Sequence, residues 1–260
     1  MPTAKTFHAD KLRVVLSETR AELGRRAGRD AAKAIAEAID KKGEARVVFA
    51  AAPSQNETLQ TLCAAKNVDW TKVVALHMDE YIGLPPGSPA RFSQYLREHC
   101  FGKLPFKAVH YLDPEDRGDC VEFLISRYTT ILAQGPIDVV VMGIGENGHI
   151  AFNDPHVADF RDFMSVKLVD LDEKCRQQQV NDGCFPSLEE TPTQAITLTV
   201  PTLANAARQI CAVPGPLKAE AVRNALCGPV SPECPASILR TLPGATLYLD
   251  ADSASLLDRE

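Results

Sequence analysis

The stretch that decides the fold is Val140–Pro155, VVMGIGENGHIAFNDP. Its first residues continue an apolar run from Ile137, which has the length and composition of a buried strand. The three glycines of GIGENG then allow a sharp turn and a close approach of the backbone to a ligand. His149 follows at once, with Asn153 and Asp154 shortly beyond it. Because ligands in open α/β sheets bind just outside the carboxyl ends of strands, His149 is a candidate acid/base group.

Outward from this stretch, predicted strands alternate with predicted helices. Apolar runs predict strands over 45–51, 73–76, 108–112, 166–169, 195–200, 210–213 and 246–249. Helical spacing predicts helices over 9–42 (one or two), 59–65, 91–101, 116–134, 172–184, 216–226 and 250–257. This alternation predicts an α/β fold whose mostly parallel sheet carries helices on both faces. Without a repeat or a clear linker, residues 1–260 are interpreted as a single domain.

Composition narrows the classes of protein. A net charge of -6 argues against a general nucleic-acid surface, although a few local donors can still bind one phosphate. The eight cysteines form no CxxC pair and no zinc-like cluster with histidine, so we expect reduced thiols and no metal. The N-terminus lacks an apolar signal core, and no run is long enough for a membrane helix. We therefore expect a cytoplasmic protein.

The glycine-rich turn also matches a dinucleotide-binding fingerprint. Gly143–Gly148 reads GxGxxG after a strand, and Asp170 follows about twenty residues on, where such motifs carry an acidic residue. The motif should open a long helix, but Pro155 lies within its second turn, where proline costs about 3 kcal/mol. A nicotinamide dehydrogenase is therefore not favoured.

Polar residues follow two other predicted strands. Ser54 and Asn56 begin the helix after the first, where they are either N-caps or part of an anion site. Asp79 and Glu80 follow the second, where they either include a general base or form a solvated loop pair. Lys218 is predicted in the first turn of a helix, where the dipole disfavours a cation. It is either a solvated lysine or the partner of an anion.

Two motifs resemble the glucosamine-6-phosphate deaminase (isomerase) family, within the group that includes 6-phosphogluconolactonases. They are MDEYIGLP at 78–85 and GIGENGHIAFNDP at 143–155, and looser support comes from 195–202 and Lys218. The resemblance covers most of the chain. It implies a three-layer, Rossmann-like α/β/α fold and an aldose–ketose isomerisation with deamination of an amino-sugar phosphate, without metal or cofactor. His149 would assist ring opening, and Asp79 would take the C2 proton and return one at C1.

The sequence departs from the family pattern at three places. Asn147 stands where the family usually has Asp, and Asp154 where it usually has Glu. The resemblance therefore makes both residues catalytic candidates, with Glu146 as a substitute carboxylate. The family phosphate loop is rich in glycine, whereas here it is SQNET at 54–58. The phosphate-binding candidates are Ser54, Gln55, Asn56, Thr58, Lys218 and Arg176, the last one helical turn from a family arginine.

Three functions remain open at this point. The first is deamination of an amino-sugar phosphate, and the second is isomerisation or lactone hydrolysis of another phosphosugar. The third is a non-catalytic sugar-phosphate sensor that lost the carboxylate at position 147. We expect a small phosphosugar as partner, with neither nucleic acid nor membrane. The sequence does not fix the oligomeric state, and a homo-oligomer is one possibility.

Overall fold

The computed structural model describes residues 5–85, 87–114, 118 and 120–257. Its strands are β1 (Lys5–Ala9), β2 (Leu12–Leu16), β3 (Ala45–Phe49), β4 (Val73–His77), β5 (Asp79–Ile82), β6 (Ala108–His110), β7 (Val139–Met142), β8 (Val166–Asp170), β9 (Gln194–Leu198), β10 (Arg208–Val213) and β11 (Ala245–Leu249). Its α-helices are α1 (Arg20–Lys42), α2 (Asn56–Cys63), α3 (Phe92–Leu96), α4 (Val121–Leu132), α5 (Glu173–Asn181), α6 (Val200–Ala204) and α7 (Ala219–Cys227). A helix was predicted over residues 116–134. Residues 116, 117 and 119 of that prediction lie outside the described residues, and the described helix α4 begins at Val121.

A large sheet forms the centre of the fold. Its strand order is β1-β2-β11-β10-β7-β3-β4-β6, and only β1 runs antiparallel to its neighbour. The four residues of β7 alternate between two hydrophobic clusters, one holding side chains of α1 and α2 and the other those of α4 and α7. Side chains of a strand alternate in direction, so the two clusters cover opposite faces of the sheet. The predicted parallel sheet with helices on both faces is confirmed.

A second sheet was not predicted. Strands β5, β9 and β8 pair antiparallel in that order. The segment after β4 was interpreted as a loop, but it is strand β5 of this small sheet. Its pairing partner lies more than a hundred residues further along the chain, so no local pattern marks it.

The chain ends also differ from the prediction. Residues 9–42 were interpreted as one or two helices, but a β-hairpin of β1 and β2 precedes α1. Leu12, Val15 and Leu16 fit the spacing of a helix as well as that of a strand, and Asp10, with φ +51°, makes the turn. Residues 250–257, predicted as a terminal helix, are a series of turns.

Helix α1 has clear sequence boundaries. Thr19 accepts the backbone N–H of Glu22 at 3.2 Å as N-cap, and Gly43 ends the helix in the left-handed region with φ +83°. Gly24 and Gly28 lie one turn apart against α2. An added Cβ would come within 2.3 Å of Glu57 Cβ at the first and 2.7 Å of the Thr58 carbonyl oxygen at the second. These glycines let α2 pack closely, which places the loop before α2 at the end of β3.

Candidate active site

A small pocket lies at the carboxyl ends of the central strands. Strands β3 and β7 are neighbours, but the next strand of this sheet along the chain is β4 on the far side of β3 and β10 on the far side of β7. Such a reversal of strand order leaves a crevice in which α/β proteins bind ligands. Among the predicted residues, Ser54, Gln55, Asp79 and His149 line the pocket, together with Phe92, Phe152, Gln178 and Gln179.

The His149 ring lies directly over the backbone of Gly145. A Cβ at Gly145 would be 2.2 Å from Cε1 of the ring, so only glycine leaves the space that the imidazole fills. His149 is 8% exposed, and its Nδ1 lies 3.0 Å from Asp154 Oδ1. Nδ1 makes no well-aligned hydrogen bond among the described residues, so the contact is mainly electrostatic. The shorter Asp154 thus reaches the histidine.

Asp154 is the charged partner of this histidine. It is fully buried, which by itself would raise its pKa, but the contacts with His149 and Asn147 outweigh burial and lower the pKa to about 2. Its Oδ1 accepts Asn147 Nδ2 at 2.8 Å, and its Oδ2 accepts the backbone N–H of Asp172 at 3.1 Å. Asp154 is therefore ionised at neutral pH and held in place from two sides.

The amide of Asn147 joins two carboxylates. Nδ2 donates to Asp154 and also to Asp172 Oδ2, at 2.9 Å, while Oδ1 accepts the backbone N–H of His149 at 3.0 Å. Asp172 is also the N-cap of α5, because its Oδ1 accepts the backbone N–H of Cys175 at 2.6 Å. Asn147 thus connects the histidine loop to the first turn of α5.

Asp79 and Glu80, adjacent in sequence, have opposite environments. Consecutive strand residues face opposite sides of a sheet. Asp79 lines the pocket, whereas the Glu80 carboxylate accepts the backbone N–H groups of Tyr81, Phe92 and Ser93. Neither is a solvated loop residue, since both are buried. Glu80 fixes the start of α3, and therefore the Phe92 ring in the pocket wall.

Burial changes the acidity of both carboxyl groups. It raises the pKa of Asp79 well above its ordinary value, and the neighbouring charge of Glu80 adds to the effect. Burial and Asp113 raise the pKa of Glu80 to about 7, against the opposing effect of its backbone donors. A carboxylate of raised pKa is a stronger base, which suits Asp79 for taking a proton from carbon.

Strand β9 connects the two halves of the site. Thr197 is the register partner of Asp79 in the small sheet, and its Oγ1 accepts the backbone N–H of Phe152 at 3.1 Å. Asn153 Nδ2 donates to the Leu198 carbonyl at 2.9 Å. The aspartate and the histidine loop are therefore both attached to five residues of one strand.

The loop before α2 supplies polar groups at the other end of the pocket. Gln55 Nε2 donates to the Ala212 carbonyl at 3.1 Å, and its buried Oε1 has no partner among the described residues. No side chain caps the N-terminus of α2, so the alternative that Ser54 and Asn56 are simple N-caps is wrong. The backbone N–H groups of Gln55 and Asn56 already donate to the carbonyls of Ala52 and Pro53, so the Ser54 hydroxyl is the donor that this loop offers to an anion.

The structure does not bring two of the predicted phosphate ligands to the pocket. Asn56 Oδ1 accepts the Tyr95 hydroxyl at 2.6 Å on the outer side of α2. Thr58 is buried where α2 packs on Gly24 and Gly28. Successive residues of a helix face different directions, so only the first part of the SQNET stretch faces the site.

Lys218 is buried at the same edge of the sheet. It follows β10, in a short 3₁₀ turn before α7 rather than in the first turn of that helix. Nζ has no hydrogen-bond partner among the described residues, and Lys218 is not among the residues that line the pocket. Burial lowers its pKa, while the carboxylates of Asp182 and Glu146 oppose the shift. A buried ammonium without a partner is not a solvated lysine.

Two further candidates are engaged elsewhere. The Arg176 guanidinium donates to the carbonyls of Leu188 and Thr191, at 2.5 and 3.0 Å, and does not line the pocket. The Glu146 carboxylate lies 3.4 Å from Asn181 Nδ2, and the backbone N–H of Glu146 donates to Gln178. The geometry therefore favours neither Arg176 as a phosphate ligand nor Glu146 as a substitute for a carboxylate at position 147.

Three residues of the site were not predicted from the sequence: Asp172, Gln178 and Gln179. Asp172 follows a strand and precedes a helix, which is the signature of an N-cap, and that signal alone does not reveal its link to Asn147. The two glutamines lie in a polar segment that resembles a surface helix, although each is at most 6% exposed.

Three potential metal ligands adjoin the pocket. His149 Nδ1, a carboxylate oxygen of Asp154 and Cys175 Sγ lie within 4.8 Å of one another. Burial raises the pKa of the Cys175 thiol well above its ordinary value, which disfavours the thiolate that a metal requires. We assign no metal to this cluster.

None of the described helices has the length and apolar character of a membrane span.

Comparisons with known proteins identify a family and several relatives. The profile of the family described as glucosamine-6-phosphate isomerases/6-phosphogluconolactonase matches residues 18–248. A glucosamine-6-phosphate deaminase of Listeria welshimeri is 35% identical over 215 residues, which cover 83% of this chain and 89% of that protein. A glucosamine-6-phosphate deaminase of Lactobacillus delbrueckii subsp. bulgaricus is 31% identical over 246 residues, covering 95% and 100%.

Solved structures share the fold. A monomeric glucosamine-6-phosphate deaminase superposes with a TM-score of 0.81 at 29% identity, covering 94% of this chain and 99% of that one. The 6-phosphogluconolactonase of Trypanosoma brucei gives a TM-score of 0.75 at 18% identity, covering 98% and 100%. The second likeness concerns the fold alone.

Proposed function

The chain belongs to the family of glucosamine-6-phosphate isomerases and 6-phosphogluconolactonases, and from this premise we propose that it is an amino-sugar-phosphate deaminase. The reaction converts glucosamine-6-phosphate and water into fructose-6-phosphate and ammonia. The observation that carries the proposal is that Asp79 and His149 line one pocket at the carboxyl ends of the central strands.

His149 opens the sugar ring. The imidazole passes a proton from the anomeric hydroxyl to the ring oxygen, which breaks the bond between C1 and that oxygen and gives an aldehyde. Histidine suits this step because it exchanges protons near neutral pH. Asp154 stabilises the imidazolium form, since it is ionised and lies 3.0 Å from Nδ1.

Asp79 moves a proton between neighbouring carbons. Its carboxylate takes the C2 proton, leaving an enolamine, and returns a proton at C1 to give an imine at C2. Water adds at C2 and ammonia leaves, so the product is a ketose phosphate. Burial supports this role, because it makes Asp79 a stronger base than an exposed aspartate.

We assign the phosphate to the end of β3 and β10. The Ser54 hydroxyl and the Lys218 ammonium are the proposed donors there. An anion would give Lys218 the partner that it lacks and offset the cost of its burial. This cation distinguishes phosphorylated from unphosphorylated sugars.

Ammonia release from glucosamine-6-phosphate tests the proposal, with 6-phosphogluconolactone hydrolysis measured in parallel. We expect ammonia from the wild type, and deuterium from solvent at C1 of the product. Asp79→Asn should lower kcat by about 10²–10⁴-fold, the usual contribution of acid–base catalysis, and leave binding intact. Lactone hydrolysis without ammonia would identify a lactonase. Sugar phosphate that raises Tm without any turnover would identify a sensor.

A further inference from the structure

The contacts of Asn147 require a side chain with two donors. Its Nδ2 group gives one N–H to a carboxylate oxygen of Asp154 and one to a carboxylate oxygen of Asp172. Carboxylates this close repel each other unless donors lie between them. The amide at 147 and the carboxylate at 172 are thus a matched pair of donor and acceptor.

Asp172 uses three different groups in this network. Oδ1 caps α5 through Cys175, Oδ2 accepts the Asn147 amide, and its backbone N–H donates to Asp154 Oδ2. The carboxylate against His149 Nδ1 therefore has one oxygen fixed by Asn147 and the other by Asp172. Loss of the Asp172 carboxylate would remove one of the three hydrogen bonds that fix the Asn147 amide, and so loosen the group that holds Asp154 Oδ1.

The same contacts connect the histidine loop to the pocket wall on α5. Six residues beyond Asp172, Gln178 Oε1 accepts the backbone N–H of Glu146 at 2.7 Å. At the end of the helix, Asn181 Nδ2 also contacts the Glu146 carboxylate. Helix α5 and the loop of His149 are thus joined at several points along the helix. The positions of Gln178 and Gln179 in the pocket wall depend on this attachment.

We propose that Asp172 is a positioning residue for His149, acting through Asn147 and Asp154. Its kinetic test rests on the proposed deaminase reaction, whereas its structural test does not. The Asp172 side chain has two tasks, to cap α5 and to accept the Asn147 amide. A suitable substitution can remove the second task and keep the first.

Asp172→Ser keeps the cap and removes the second contact. Serine is a good N-cap but has one side-chain oxygen, so the Asn147 amide loses one of its two acceptors. We expect kcat to fall by about tenfold to hundredfold, the range for displacing a catalytic group by up to 1 Å, with KM changed less than threefold.

Asp69→Ser is the matched control. Asp69 is a half-exposed cap that accepts the Thr71 N–H at 3.2 Å, and it does not line the pocket.

A double-mutant cycle tests the matched pair. Asn147→Asp alone adds a third carboxylate, and Asp172→Asn alone sets two amide groups against each other. In the double variant, the amide at position 172 can donate to the carboxylate at position 147. We expect its kcat to exceed the product of the two separate effects by at least tenfold. Effects that simply multiply would show that the two side chains act independently.

The ring nitrogens of His149 give a readout that needs no turnover. We expect Asp172→Ser to shift the ¹⁵N resonance of Nδ1, assigned with His149→Gln, and Asp69→Ser to leave it unchanged. If Asp172→Ser keeps both kcat and this resonance, the positioning role is rejected while deamination stands. If the wild type releases no ammonia, the proposed reaction fails and the resonance alone decides the role of Asp172.

Discussion

Gly145→Ala should disable the site without altering the backbone. Gly145 is outside the left-handed region, so alanine can adopt the same conformation. Its Cβ would lie 2.2, 2.3 and 2.5 Å from Cε1, Nε2 and Nδ1 of His149. Carbon contacts are favourable only from about 3.5 Å, so the ring must move by more than about 1 Å. That movement breaks the contact of Nδ1 with Asp154.

A catalytic group displaced by about 1 Å costs about 10²-fold in rate, which corresponds to about 2.7 kcal/mol in the activation free energy. We therefore expect kcat for ammonia release to fall about a hundredfold in Gly145→Ala, with little change in the Tm increase that sugar phosphate produces. The assay couples ammonia release to a dehydrogenase, and Tm is measured on the same samples.

Gly135→Ala is the matched control for this variant. Its Cβ would lie 3.3 Å from Arg46 Cδ, a contact that a shift of a few tenths of an ångström relieves, and Gly135 does not line the pocket. We expect kcat to stay within twofold of the wild type. A Gly145→Ala enzyme with kcat within threefold of the wild type would refute the argument that the His149 ring must stand over this glycine.

Two further predictions concern buried charge. Just above pH 4, the Asp79 carboxyl is ionised in the unfolded chain but still protonated in the folded protein, because burial raises its pKa. The free energy of unfolding therefore falls as pH rises above about 4. Asp79→Asn should therefore be more stable than the wild type by a margin that grows as pH rises above about 4 and levels off once the folded-state carboxyl has ionised, as measured in urea titrations at a series of pH values; a margin that does not change with pH would contradict the shift. Lys218→Met should weaken binding of a sugar phosphate by about tenfold to hundredfold in calorimetry, the value of a hydrogen bond to a charged group. Equal weakening for the unphosphorylated sugar would reject a phosphate role for Lys218.

The central sheet could be predicted because its signals are local. Each parallel strand is a short apolar run, and β7 runs directly into the glycine turn that carries His149. The hairpin of β1 and β2 could not be predicted in this way, since Leu12, Val15 and Leu16 fit both periodicities. The small antiparallel sheet was missed because its strands are distant in sequence, and pairing of that kind leaves no trace in any one segment.

The site was predicted where one chain segment holds both the residue and its neighbours. Asn147, His149 and Asp154 belong to one loop, so the motif places them together. Arg176 and Glu146 failed as candidates because their partners lie on other segments, which bind the guanidinium and the carboxylate first. Asp172 was missed for the same reason, because its partner Asn147 lies 25 residues earlier.

The attachment of both halves of the site to β9 has a consequence for biosynthesis. Asp79 and the loop around Phe152 have been synthesised long before residues 194–198, yet Thr197 is the register partner of Asp79 and the hydrogen-bond partner of Phe152. A nascent chain that ends before β9 carries every proposed acid and base without the strand that sets their spacing. Activity should consequently arise late, in a single step, when the final third of the polypeptide emerges and docks.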